Sequence, residues 1–192
     1  MQPNSCSVPS NVHFELHDAE QAWPFTQSFD YIHGRSLASC FDSPELVIKN
    51  AFQALNPGCF LEMQDCIMPM RSVDDTYQGS ITNKWQSLIL EGANKLGRDM
   101  EQVKNYKSYM EKAGFVDVQE VHFQWPLGPW ATDRRLKAIG VLFREDMNQV
   151  VDGFGKSLLG DGLGMSEGEI RTLLADARHE WKYGKIHVYL PM

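Results

Sequence analysis

FDYIHGRSLASCFDSPELVIKNAFQALNPGCFLEMQD, residues 29–65, reads as a strand, a helix and a second strand. Phe29-Asp30-Tyr31-Ile32-His33 is short, aromatic and β-branched, the composition of a buried strand, and Gly34 breaks it. Ser43 is placed to accept a backbone N–H at a helix start, and Pro44 takes the first helical position, where its missing donor costs nothing. Leu46, Val47, Asn50, Ala51 and Leu55 recur at helical spacing until Asn56-Pro57-Gly58 stops the helix. Cys59–Asp65 is the returning strand. A helical crossover between two strands favours a right-handed parallel pair, and this places the chain in the α/β class.

Outward from this unit, residues 1–10 are polar, carry two prolines and read as an N-terminal arm ahead of a single domain over 11–192. Val12, Phe14 and Leu16 alternate with His13, Glu15 and His17, the period of a strand over 12–17. Residues 77–96 and 101–113 read as helices, the second ending at Gly114, and Val116–Trp125 reads as a long strand broken by Pro126. A helix from Asp133 carries Leu136, Ile139, Gly140, Leu142 and Phe143 on its packed face, and the glycines of 153–164 suggest a mobile loop. Ser166 and Glu169 form a capping box for the last helix, and Ile186, Val188 and Leu190 alternate in a C-terminal strand.

The 192 residues are 43% apolar with a net charge of −7, the profile of one soluble globular domain. The acidic balance argues against nucleic acid or anionic lipid as partner, since phosphate neutralisation needs a surplus of Lys and Arg. No window approaches the ~20 apolar residues that span a bilayer. Cys6, Cys40, Cys59 and Cys66 form no C-x-x-C pair and no zinc spacing, which suits reduced thiols in the cytoplasm or nucleus. His13, Glu15 and His17 share a strand face, but two-residue spacing alone does not make a metal site, and none is expected.

Asp18-Ala19-Glu20, Trp23-Pro24-Phe25, Phe29 to Leu37, and the Leu55-Asn56-Pro57-Gly58 turn before Leu61-Glu62 occur in a characteristic order. Together they resemble the later part of the fungal LaeA-type, class I S-adenosylmethionine (SAM) dependent methyltransferase-like proteins. That family begins with a strand and glycine-rich loop for the methionine part of the cofactor, then a strand with an acidic residue for the ribose; the resemblance starts downstream of both. It therefore implies an incomplete, Rossmann-like class I sheet flanked by helices, truncated at its N-terminus and lacking the first two strands. The glycines of 153–164 have no strand before them and cannot replace that loop. The strand at 29–33 would expose an unpaired edge for the strand at 12–17 to slide in beside, for the N-terminal arm to fold over, or for a second copy of the chain to pair with as an exchanged dimer, of which the homodimer is expected.

The resemblance also implies roles. Asp18 and Ala19 correspond to the adenine side of a cofactor site, with Trp23 close by; His33 and Arg35 stand at the tip of the strand lining the transfer site. At the carboxyl ends of parallel strands ligands usually bind, so His33 suits proton transfer and Arg35 an oxygen anion, or simple packing and ion pairing. His17, Asp18 and His33 are candidates to converge on a vacated pocket, although Asp18 suits a turn cap equally well. Tyr31, Gln64 and Asp65 belong to the same rim; Gln64 and Asp65 would orient a ligand or satisfy loop amides. Tyr77, Trp85, Phe123, Trp125 and Trp130 are candidates for an apolar pocket wall or for plain core.

The expected function is a methyltransferase-like protein of fungal secondary metabolism that needs no cofactor. It would bind an apolar intermediate and promote a cyclisation, isomerisation or pericyclic step. Alternatives are a SAM-dependent methyltransferase completed by a partner chain, and a regulatory pseudoenzyme.

Overall fold

The computed structural model describes residues 9–192, so the expected arm lies almost wholly outside the described residues. The strand–helix–strand unit forms as its sequence dictates: β1 is Phe29–Arg35, α1 is Pro44–Ala54 and β2 is Leu55–Gln64. β1 and β2 pair in parallel, with His33 opposite Glu62 and Arg35 opposite Gln64. Ser43 Oγ accepts from the Leu46 N–H at 3.4 Å and Pro44 opens the helix. The Asn56-Pro57-Gly58 turn does stop α1, but the ladder absorbs it as an irregularity: Phe29 faces Leu55, whereas Tyr31 faces Phe60. Gly58 supplies the left-handed backbone this requires, with φ +83°.

α1 buries Val47, Ile48 and Ala51. Among the described residues the parallel sheet has these two strands only, and β1 has no neighbour on its outer edge. α3, Tyr106–Ala113, packs beside α1, and Phe52 meets Phe115 edge to face with ring centres 4.9 Å apart.

The second part is built on an antiparallel sheet of order β3-β5-β4, from Arg71–Ser72, Val188–Pro191 and Gln124–Pro126. α2 (Ile81–Lys95), α4 (Arg134–Phe154) and α5 (Glu167–Tyr183) supply the helices, and the main hydrophobic core lies here, around Trp85, Ile89, Phe143, Leu174, Trp181 and Val188. Glu180 of α5 stitches the start of α2: its carboxylate accepts from the Ile81 and Thr82 amides at 3.1 and 2.8 Å and from the Thr82 hydroxyl at 2.5 Å. The capping box of Ser166 and Glu169 is present, and Ile186, Val188 and Leu190 point inward as their alternation predicts.

Five expectations are corrected. Residues 12–17 form no strand: the segment joins no ladder among the described residues, and Phe14 and Leu16 stay exposed, because alternation makes a strand only where a ladder is actually formed. The strand expected over 116–125 shrinks to β4, since Val116, Val121 and Phe123 have no facing layer to bury them; Phe123 still exchanges backbone bonds with Met192. The helix expected from 77 begins at Ile81, with Tyr77 in a 3-10 turn, and the helix expected from 101 is 3-10 up to Asn105. On α4 the buried positions are Gly140, Phe143, Met147 and Val151, while Leu142 is exposed.

The fifth concerns the glycines of 153–164. α4 runs through Gly153, and Gly155–Asp161 form a π-helix whose Leu158 and Leu159 are buried against the core. Gly155 and Gly162 serve close packing: a Cβ on Gly162 would sit 2.4 Å from the Leu158 carbonyl oxygen and one on Gly155 3.0 Å from Leu174, and on the facing α2 a Cβ on Gly92 would sit 2.1 Å from the same Leu158 oxygen.

Gly92→Ala should therefore lower stability by about 1–3 kcal/mol through overpacking. Gly153→Ala, in a helix with open space around its Cβ position, should raise stability by about 0.5–1 kcal/mol. Thermal unfolding of the two variants checks both signs.

Candidate functional site

The residues 18–23 reach their place through two side chains. The Glu20 carboxylate accepts from the Ser43 and Asp42 amides at 2.7 and 3.2 Å, beside the positive end of α1. Asn50, one face along α1, donates to the carbonyls of Ala19 and Gln21 at 3.1 and 3.0 Å. Ala19 O also accepts from Trp23 Nε1 at 2.9 Å. The strap so fixed passes the outer edge of β1, and Trp23 and Phe25 continue as an edge-to-face aromatic row with Phe29.

Between strap and strand lies an open cleft of about 340 Å³, walled by His17, Ala19, Trp23, Phe25, Phe29, Tyr31 and Ile32. A second cavity of about 170 Å³ shares Ala19, Trp23 and Ile32 with it and runs inward over β1 and β2 to α1, where Val47, Ile48, Leu61 and Met63 close it. Together they have the size of small-molecule sites and an apolar, aromatic lining.

The sheet face turned away from α1 is polar. Tyr31 and His33 lie parallel with ring centres 6.3 Å apart, the Tyr31 hydroxyl donates to Glu62, and Gln64 Nε2 donates to the same carboxylate at 2.6 Å. These donors, with His33 adding a favourable charge, hold the Glu62 carboxyl below its ordinary range, and the hydrogen bond to that carboxylate, with desolvation, holds the Tyr31 phenol above its own. Arg35 is exposed at the strand end and makes no ion pair among the described residues.

The sequence candidates thus divide. His17, Ala19, Trp23, Tyr31 and His33 do come together around the cavities. Asp18 caps its own turn, its carboxylate accepting from the Glu20 amide at 3.0 Å. Gln64 braces Glu62. Asp65 turns inward and accepts from the Leu37 amide at 2.7 Å and the Cys66 amide at 2.9 Å, which fixes the exit from β1; burial pushes its pKa up against those bonds. The same burial, with Asp65 adjacent, pushes the Cys66 thiol up to about 12, so it is an unreactive core thiol.

Tyr77 and Trp85 belong to the core of the second part, where Trp85 meets Trp181 edge to face at 5.7 Å. Phe123 is exposed, Trp125 packs on Phe143, and Trp130 donates to the Val188 carbonyl at 3.0 Å; none of these five lines either cavity. Phe25, Phe29, Glu20, Asn50 and Glu62 stand in motifs or on a helix face that the sequence shows, but it assigns them no role in the site. The apolar Trp23-Pro24-Phe25 run is a signal for the first two, whereas the pairings of Glu20 with the start of α1, of Asn50 with Ala19 and Gln21, and of Glu62 with Tyr31 join residues more than twenty positions apart and leave no local mark.

The SAM implied by the resemblance can be tested against this lining. Trp23, Phe25 and Tyr31 offer flat faces to an adenine ring. Its ionised amino-acid end finds no partner among the described residues: of these, no acidic or basic residue other than His17 and His33 lines the cavities, and the nearby Asp18 and Glu20 carboxylates are spent on backbone amides. The residues present suit a ring and not the whole cofactor.

Two outcomes follow. Tyr31→Phe should let the Glu62 pKa rise toward its ordinary 4.5. A carboxylate held low adds stability above that range and loses it as pH falls, so the variant should also depend less on pH in acid; carboxyl NMR titration reads the shift directly. Removing both strap anchors, Glu20→Ala with Asn50→Ala, should leave the fold intact but free the strap, seen as red-shifted, more quenchable emission from Trp23.

Comparison with known proteins agrees with the site's origin. Residues 3–120 match the family described as Methyltransferase domain. The chain is 32% identical over 176 residues to the probable methyltransferase tdiE of Emericella nidulans, covering 91% of this chain and 55% of that one. It is 30% identical over 181 residues to the methyltransferase pytC of Aspergillus terreus, covering 94% and 56%. It is 26% identical over 190 residues to the secondary metabolism regulator laeA of Fusarium oxysporum f. sp. lycopersici, covering 95% and 60%. The chain spans about half the length of the curated relatives it matches. With a family match over more than half of its 192 residues, on an α/β unit that carries the motifs of the LaeA-type resemblance, this chain belongs to the methyltransferase domain family.

Proposed function

We propose that the chain binds a flat, apolar small molecule of fungal secondary metabolism in the Trp23 cleft and promotes a ring closure, isomerisation or pericyclic rearrangement in place of methyl transfer. The observation that carries this reading is the lining itself: aromatic and aliphatic walls continuous over both cavities and, among the described residues, no free group for the charged end of a methyl donor. Reactions of this kind need shape, exclusion of water and one or two polar contacts. His33 supplies an imidazole beside Tyr31, suited to take a proton from carbon and return it at another position; Arg35, which lines neither cavity but stands at the end of the same strand with no ion pair among the described residues, suits a developing enolate oxygen that projects from the cleft. His17, at the far wall, is the second proton carrier. The name of the relative laeA, a secondary metabolism regulator, supports the setting.

A second reading has its own support. Two of these relatives are named methyltransferases, and the chain aligns with about half of each, so a site completed by another polypeptide would hold the donor and methylate a small molecule.

Titration calorimetry of the purified chain with SAM and S-adenosylhomocysteine separates the two. No binding at micromolar concentrations is expected; micromolar binding would favour methyl transfer. For a panel of flat polycyclic natural products followed by tryptophan quenching, Trp23→Ala should weaken binding about tenfold, the loss of one stacked aromatic wall. His33→Ala should leave binding unchanged while lowering conversion. A panel that neither binds nor changes in product distribution removes the proposal.

A further inference from the structure

The inner cavity differs in kind from the cleft above it. α1 closes it with Val47, Ile48 and Ala51, β2 with Leu61 and Met63, and it reaches the outer cleft past Ala19, Trp23 and Ile32, which line both. Small residues keep it empty. Ala51, only 2% exposed, brings no more than a methyl group to it. Gly34 brings nothing, and a Cβ there would lie 2.8 Å from Met63 Sδ and 2.9 Å from Leu37 Cδ1. The lining is apolar except at His33, whose ring lies parallel to Tyr31 on the other face of the sheet. Trp23 Nε1 is already spent on the Ala19 carbonyl at 2.9 Å. Among the described residues, then, no side chain offers a free hydrogen bond into this space.

We infer that the flat molecule held in the Trp23 cleft carries a hydrocarbon branch of about five carbons, and that the inner cavity seats this branch. This rests on the ligand reading given above and names the class of that ligand. An apolar cavity of about 150 Å³ takes a six-carbon ring. With about 170 Å³, the inner cavity has room for a branch of that order, saturated or olefinic. The branch has to be hydrocarbon to its end, because a hydroxyl or carboxylate carried into this lining gives up its water and meets no partner. Met63, with its unbranched thioether, lets the wall adjust to the shape of the branch. Ring and branch thus rest on different surfaces. The aromatic row of Trp23, Phe25 and Phe29 holds the ring but leaves it free to turn within an open cleft. A branch lodged between α1 and β2 removes that freedom and fixes which ring atom faces the polar groups. Ala51 and Gly34 are therefore the positions that set branch length.

Calorimetric titration of the full chain with 2-naphthol and its 6-alkyl derivatives, methyl to octyl, tests this. Affinity should rise roughly fourfold with each added carbon, the gain of one buried methylene. The rise should end at about five carbons, when the cavity is full. A hydroxyl at the end of the pentyl chain should weaken binding at least about tenfold. Ala51→Val adds about two carbons to the lining, so the rise should end about two carbons earlier and the pentyl compound should bind about tenfold more weakly. Ala19→Val, on the half-buried strap outside every helix and strand, should narrow the passage and weaken the long members more than 2-naphthol itself. The Met63 methyl signal, assigned through Met63→Leu, should shift in carbon-13 NMR with the pentyl compound and stay in place with 2-naphthol. Binding of 2-naphthol with no gain along the series, a gain that continues to octyl, or indifference to the terminal hydroxyl each overturns the proposal and leaves the cleft reading standing. If no member binds, 2-naphthol included, both fall.

Discussion

β1 hydrogen-bonds to β2 along one edge and to no described strand along the other, and helices cover the sheet on one face only. A parallel ladder is ordinarily buried on both faces, because its crossover helices lie over it. Here α1 fills that role for Ile32, Leu61 and Met63, while Tyr31, His33, Arg35, Phe60 and Glu62 look outward. The open cleft, the polar sheet face and the free edge are three consequences of that single arrangement.

Stability is divided accordingly. The second part holds the main core, with Trp85, Trp181 and Val188 nearly inaccessible and the start of α2 locked by Glu180. The first part is held by fewer buried side chains and by polar ties of long sequence separation: Asp65 to the Leu37 amide, Glu20 to the start of α1, Asn50 to the strap. Such ties lose most when one partner is removed, since a donor left unmet costs about 1–3 kcal/mol, whereas each made bond contributes about 1. The site is therefore placed on the less robust part of the molecule, where ligand-binding elements are commonly found.

The same chemistry separates what the cleft accepts from what its family handles. A methyl donor of the SAM type has a flat base and a doubly charged amino-acid end. The cleft provides surfaces for the first and spends its nearby carboxylates on backbone amides before the second could use them. Membership of the methyltransferase domain family explains the shape of the site; the placement of Trp23, Tyr31 and His33 is what bears on its chemistry.

The sequence by itself determined the local elements whose causes are local: the cap at Ser43 and Pro44, the left-handed end of α3 at Gly114, the capping box at Ser166, the inward alternation of Ile186, Val188 and Leu190, and the parallel pairing implied by a helical crossover. It also carried the family in the order of its motifs, and the cluster of His17, Ala19, Trp23, Tyr31 and His33. Only the tertiary structure decided that 12–17 joins no ladder among the described residues, that Gly155 and Gly162 serve close packing, that Trp85 and Tyr77 are core, and that Glu20, Asn50 and Asp65 are anchors. The physical reason is that a cap or a turn is closed by neighbours three or four residues away, whereas burial and strand pairing depend on surfaces brought together from distant parts of the chain.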